Sequence, residues 1–208
     1  MKSKDVLLVI DMQVGLFASG NKFDAAGLVV RINRLSQKTR DAGGRVIFVR
    51  HTREGGSFAA GSPTWQLLPE LAVKEEDHML AKATCDCFAQ TELAAVVPPE
   101  STARLIVTGC ATEFCVDTTV RSAASQGYDV WAPEDGHTTA DRPHLSAEQV
   151  IRHHHLYLER LRRPPRPRQH HAHVGSLTHS GGSVRVPPGG GRSVLLAHRP
   201  GGAQDPRG

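Results

Sequence analysis

The chain has 208 residues, 39% of them hydrophobic, and a formal net charge of +4 at pH 7, a size that supports one sizeable core with room for an appendage. No stretch approaches the roughly 20 apolar residues of a membrane helix, and Asp11 ends the apolar run of MKSKDVLLVID too early for a leader. Four cysteines, with no leader expected, suggest a reduced, cytosolic protein rather than a disulfide scaffold.

The elements alternate along the chain. VLLVI (6–10) reads as a buried parallel strand. FDAAGLVVRINRLSQKTRDAGG places Leu28, Ile32 and Leu35 at helical spacing, with Asp24 near its start and Gly43–Gly44 as its stop. RVIFVRH (45–51) is a second strand and HMLAK (78–82) a third. TELAAVV (91–97) forms a short helix ended by Pro98–Pro99, and RLIVTG (104–109) a fourth strand. EFCVDTTVRSAASQG (113–127) is a helix closed by Gly127, YDVWAP (128–133) a fifth strand, and LSAEQVIRHHHLYLERL a last helix with the capping-box spacing of Ser146 and Gln149.

Such alternation predicts an α/β fold: three layers, α-β-α, around a mostly parallel, doubly wound sheet in a single domain over residues 1–159. After about residue 160 the composition changes, with 9 Gly and 7 Pro in 160–208. Residues 1–159 carry 6 Lys and 10 Arg against 20 acids, a net of −4, whereas 160–208 carry 9 Arg against Asp205, a net of +8. The basicity therefore belongs to the tail, and the composition predicts disorder there. Its arginines lack the aromatic residues that stack on bases, which argues against a nucleic-acid partner.

Reactive groups of such sheets gather beyond the carboxyl ends of the strands. Asp11 follows the first strand, Lys82 ends the third, and the stretch GCATEFCVDTT, with Cys115, follows the fourth. Cys115 reads either as a small buried apolar residue or as a nucleophile at a helix N-terminus. In the second reading the helix and Lys82 lower its pKa, Asp11 exchanges the thiol proton, and backbone N–H groups face an oxyanion.

VLLVIDMQVGLF, AKATCDCFAQTEL and LIVTGCATEFCVDTTVRSAASQGYDVWAPEDGHTTAD resemble the isochorismatase-like cysteine hydrolase superfamily, over about residues 5–154. The resemblance implies a triad of Asp11, Lys82 and Cys115, a cis peptide between Cys110 and Ala111, and an oxyanion hole from the N–H groups of Ala111 and Cys115. It also implies cleavage of a small amide, carbamoyl or ureido-type C–N bond through a thioester, without a cofactor. A vinyl-ether hydrolase and a non-catalytic scaffold are the alternatives. Similar proteins continue after the RHH stretch into a final strand. This chain departs there, as a genuine disordered extension or a shifted reading frame of a GC-rich gene would, and a homo-oligomer is expected only if that end folds.

Similar enzymes place aromatic residues in the pocket loops, which makes Phe17 and Trp65 pocket or core residues. Thr112 and Glu113, beside Cys115, are pocket candidates, Glu113 touching substrate or favouring the helix dipole. The region VRHTREGGSF has no Asp-x-His pair beside His51, so no metal is expected. Cys85 and Cys87 read as buried small residues near the Lys82 strand end, and Cys110 as packed beside the cis bond. The histidines 153–155 read as a solvated helix face, and HTTAD (137–141) as structural more than chemical. The expected partner is a small-molecule substrate, with neither nucleic acid nor membrane.

Overall fold

The computed structural model describes residues 4–161. The tail from residue 162, with the disorder, reading-frame and oligomer expectations attached to it, lies outside the described residues. Strands β1 (Lys4–Ile10), β2 (Arg45–His51), β3 (His78–Lys82), β4 (Thr102–Cys110), β5 (Val130–Trp131) and β6 (His137–Thr138) form one sheet. The order is β3-β2-β1-β4-β5, with β6 beside the end of β4, and all these pairings are parallel.

Alternation along the strands divides the core into two layers. Val6, Leu8 and Ile10 of β1 face one cluster, together with Val49, Leu80 and Val107. Helices α3 (Leu93–Val96), α4 (Asp117–Gln126) and α5 (Ala147–Leu158) cover that face through Leu93, Val120, Ala123 and Leu158. Leu7 and Val9 face the other cluster, covered by Leu28, Val29 and Ile32 of α2 (Ala25–Asp41) and by Leu71. The four-residue helix α1 (Val14–Phe17) precedes α2. Among the described residues, no helix is long and apolar enough to cross a membrane.

Local chemistry explains the element ends. Asp24 occupies the N-cap of α2 in a left-handed conformation, φ 44°, and its carboxylate pairs with Arg31 at 2.8 Å rather than capping. Gly127 closes α4 with φ 96°. The capping box of α5 is complete: Gln149 N–H donates to Ser146 Oγ at 3.2 Å, and Ser146 N–H donates to Gln149 Oε1 at 2.9 Å.

Three elements differ from the sequence reading. The helix expected over 91–97 shortens to Leu93–Val96, and the strand expected over 128–133 to Val130–Trp131. The Tyr128 side chain, 1% exposed, turns inward against Phe88 instead of extending the strand. The helix expected over 113–127 begins as a π-helical turn, Thr112–Val116, before regular α4.

The strand order reverses between β1 and β4, where doubly wound sheets open their crevice. These strands approach closely because position 109 is glycine. Its φ of +118° lies where side chains rarely go, and a Cβ there would stand 2.1 Å from the Ile10 carbonyl oxygen. Register Ile10↔Gly109 therefore sets the ends of β1 and β4 side by side.

Candidate active site

Asp11 leaves β1 with φ 52°, a conformation uncommon outside glycine though one that Asp adopts more readily than most residues. Its N–H donates to the Val49 carbonyl at 2.9 Å, fixing the turn against β2. Gln13 holds the next residues: its Nε2 donates to the carbonyls of His51 (3.1 Å) and Trp65 (2.9 Å), and its Oε1 accepts from His51 N–H at 2.8 Å. Lys82 ends β3 opposite His51 in register, which levels the carboxyl ends of β2 and β3.

The structure brings Asp11, Lys82 and Cys115 together. The Lys82 ammonium donates to Asp11 Oδ2 at 2.7 Å, to the Thr84 carbonyl at 3.1 Å and to Cys115 Sγ at 3.3 Å. An ammonium has three N–H donors, and all three are used. Asp11 is 1% and Lys82 3% exposed, while Cys115 is half-buried.

The electrostatics reverse one expectation. Burial and then the Asp11 carboxylate push the Cys115 thiol well above its usual range, and Lys82 offsets them only in part. The Lys82 charge is committed to Asp11, and Cys115 lies within the π-turn rather than at the first turn of a long helix. This upward direction favours a resting thiol, whereas the sequence reading has the helix and Lys82 lower the pKa. Lys82 itself stays charged: burial lowers its pKa, but Asp11 and the neighbouring thiols raise it further.

The Cys110–Ala111 peptide is cis. Cys110 is 1% exposed, and burial raises its thiol to about 12. The carbonyl of Ala111 accepts from the N–H groups of Phe114 (3.1 Å) and Val116 (3.3 Å), which winds the Cys115 turn.

The pocket candidates divide. Thr112 is fully buried and shares a 3.0 Å hydrogen bond with His137 Nδ1. Glu113 Oε1 accepts from Thr139 Oγ1 at 2.9 Å and Arg142 Nε at 2.8 Å, and pairs with Arg142 Nη2. Its carboxylate is engaged with its own chain rather than presented as a free anion. Phe17 packs on the α2 side and lines a cavity of about 450 Å³ with Lys22, Val29 and Leu68. Trp65 donates from its indole to Thr52 Oγ1 at 2.9 Å, and the Arg50 guanidinium stacks on its ring at 3.6 Å. These contacts of Phe17 and Trp65 involve none of Asp11, Lys82 and Cys115. A cavity of about 740 Å³, lined by Thr52, Arg53, Ala59, Lys82 and Gln90 among others, opens at the end of β3.

Several remaining residues depart from their expected places. Cys85 is exposed rather than buried, whereas Cys87 is fully buried and its N–H donates to Thr119 Oγ1 of α4 at 3.2 Å. The histidines 153–155 do not form one solvated face: His154 Nδ1 lies 3.2 Å from Asp117 Oδ1, and His155 Nε2 lies 3.9 Å from Glu134 Oε2. Among the described residues, no three His, Cys, Asp or Glu side chains gather as a metal-binding set. HTTAD (137–141), read from the sequence as structural, supplies His137 and Thr139 to the site's framework, whereas the framework roles of Gln13 and Arg142 are not part of that reading. Gln13 had a signal in its place inside IDMQ, directly after Asp11 and Met12.

The family model described as Isochorismatase domain matches residues 5–158. The chain is 33% identical over 140 residues to a streptothricin hydrolase of Streptomyces noursei, covering 66% of this chain and 50% of that protein. It is 26% identical over 157 residues to the ureidoacrylate amidohydrolase RutB of Stutzerimonas stutzeri, covering 57% of this chain and 63% of that protein. The chain thus spans about half the length of the streptothricin hydrolase it matches. The crystal structure of an isochorismatase from Pseudomonas putida KT2440 matches with a TM-score of 0.68 and 27% identity, covering 76% of this chain and 87% of that one.

Proposed function

This chain belongs to the isochorismatase family, and we propose that it is a cysteine hydrolase that cleaves an amide, carbamoyl or ureido-type C–N bond of a small molecule. The observation that carries the reading is the single ammonium, Lys82, bonded at once to Asp11 Oδ2 and Cys115 Sγ. A structural ion pair has no need of a thiol as a third member. Similarity to a protein named an amidohydrolase favours a C–N bond as the target.

The proton inventory suits acyl transfer. At rest Asp11 and Lys82 form a neutral pair beside a protonated thiol. Asp11 takes the thiol proton, so the sulfur becomes the anion as the carboxylate becomes neutral. As the proton moves from sulfur to carboxylate, Lys82 exchanges one anionic partner for the other, and the net charge of the buried cluster does not change. That matters because an uncompensated charge in such a site costs several kcal/mol. The thiolate attacks the carbonyl carbon, and the N–H groups of Ala111 and Cys115 receive the oxyanion. Asp11 returns its proton to the departing nitrogen, leaving a Cys115 thioester. Asp11 then draws a proton from a water whose oxygen attacks the thioester carbon; the C–S bond breaks, the acid leaves, and Asp11 passes the proton to the sulfur, which restores the thiol.

Incubation with small amides, ureido acids and hydroxamates, followed by acid quench and intact mass, tests this reading. An acyl adduct mapping to Cys115 with a turned-over substrate supports it. Turnover with no adduct and full activity in Cys115→Ala contradicts it, and product from isochorismate alone would favour vinyl-ether cleavage.

A further inference from the structure

The turn carrying Cys115 is held by a segment that the proposed chemistry does not use. Strand β6 pairs with the last residues of β4, Gly109↔His137 and Cys110↔Thr138. From β6 and the residues just after it, side chains reach the first two residues of the π-turn. His137 Nδ1 and Thr112 Oγ1 share a 3.0 Å hydrogen bond, with His137 3% and Thr112 0% exposed. One residue on, Glu113 is held by Thr139 and Arg142. A π-helical turn is rare and occurs frequently at functional sites. Its backbone bonds to Ala111 leave residues 112 and 113 to be fixed from outside, and the chain supplies those fixings from some 25 residues away.

We propose that His137 is a positioning residue for the proposed hydrolysis: its bond to Thr112 sets the Cys115 turn so that the sulfur meets Lys82 and Asp11. The imidazole touches neither the sulfur nor its two partners, and it acts through Thr112. The bond is buried, and a geometric shift of about an ångström is costly for a reaction that depends on alignment. Buried neutral hydrogen bonds of this kind are specific in direction, which distinguishes this contact from simple filling of space.

The proposal rests on the reading of Cys115 as nucleophile, so its test carries one readout with substrate and one without. The full-length variants are His137→Leu, Thr112→Val, the double variant and His137→Asn, whose amide nitrogen stands near the place of Nδ1. With a substrate, the two single losses are expected to lower kcat about tenfold with KM within about twofold. The double variant should be no worse than either, and His137→Asn should recover most of the activity. Without a substrate, the pH midpoint of Cys115 alkylation by iodoacetamide should fall by about one unit in Thr112→Val. A loosened turn admits water to the sulfur and moves it away from Asp11. Thr112→Val keeps the branched side-chain shape and removes only the hydroxyl bonded to His137, so it keeps the test open if His137→Leu does not fold. Independent, additive losses of kcat, or an unchanged alkylation midpoint, would overturn the proposal. Full activity in Cys115→Ala would instead remove the hydrolase reading, leaving the alkylation result to judge the turn.

Discussion

Gly109 faces Ile10 across the junction of β4 and β1 with no room for a side chain between them. The contact lies one residue from Asp11 and six from Cys115, so it governs how the carboxylate and the sulfur meet. Replacing Gly109 by Ala adds a methyl group against backbone atoms that cannot turn away, at φ +118°. The expected cost is about 3 kcal/mol or more, which would lower the thermal midpoint by roughly 10 °C. Scanning calorimetry of the variant checks this, and an unchanged midpoint would contradict the close approach.

Asp11→Asn separates the carboxylate's charge from its basicity. Asp11 is one of the groups that hold the Cys115 thiol high, and Lys82 is the group that opposes it. Removing the Asp11 charge leaves Lys82 facing the sulfur alone, so the thiol pKa falls and more thiolate is present at neutral pH. Alkylation of Cys115 at pH 7 should therefore speed up, while hydrolysis drops by about a hundredfold or more for want of a base. Timed iodoacetamide labelling with peptide mass spectrometry reads the first effect. Slower labelling in Asp11→Asn would contradict the assigned electrostatics.

The buried His137 predicts acid sensitivity. Burial, with smaller contributions from His155 and His154, pushes its pKa from 6.5 to about 4, and Asp135 pulls weakly the other way. Between these values the unfolded chain binds a proton that the folded chain refuses, so stability falls as the pH falls from about 6.5 toward 4. The full contribution is about 3 kcal/mol. Urea unfolding from pH 7 to pH 4.5 should show this loss, with a flatter profile in His137→Asn. Equal slopes in the two proteins would place the titrating group elsewhere.

The strands were legible where apolar runs end abruptly. Gly43–Gly44 before Arg45, and the acidic stretch before His78, give β2 and β3 the bounds read from the sequence. The short pairing of β6 was not legible, because His137 and Thr138 show no apolar alternation and join the sheet only through the end of β4. Asp11, Lys82 and Cys115 could be traced to strand ends by position alone. The direction of the Cys115 shift could not, since it depends on how deeply the sulfur is buried and which oxygen faces it. Cys85 and Cys87 show the same limit: neighbours in TCDCF, one ends in solvent and the other in the core.

The central claim is that Cys115 is the nucleophile, and ammonia release from a panel of small amides and ureido acids tests it most directly. Wild-type and Cys115→Ala proteins with matching circular dichroism and thermal midpoints would be compared on the same substrates. The account predicts release by the wild type and a fall of about a thousandfold or more in Cys115→Ala. Equal release by the two folded proteins would contradict it.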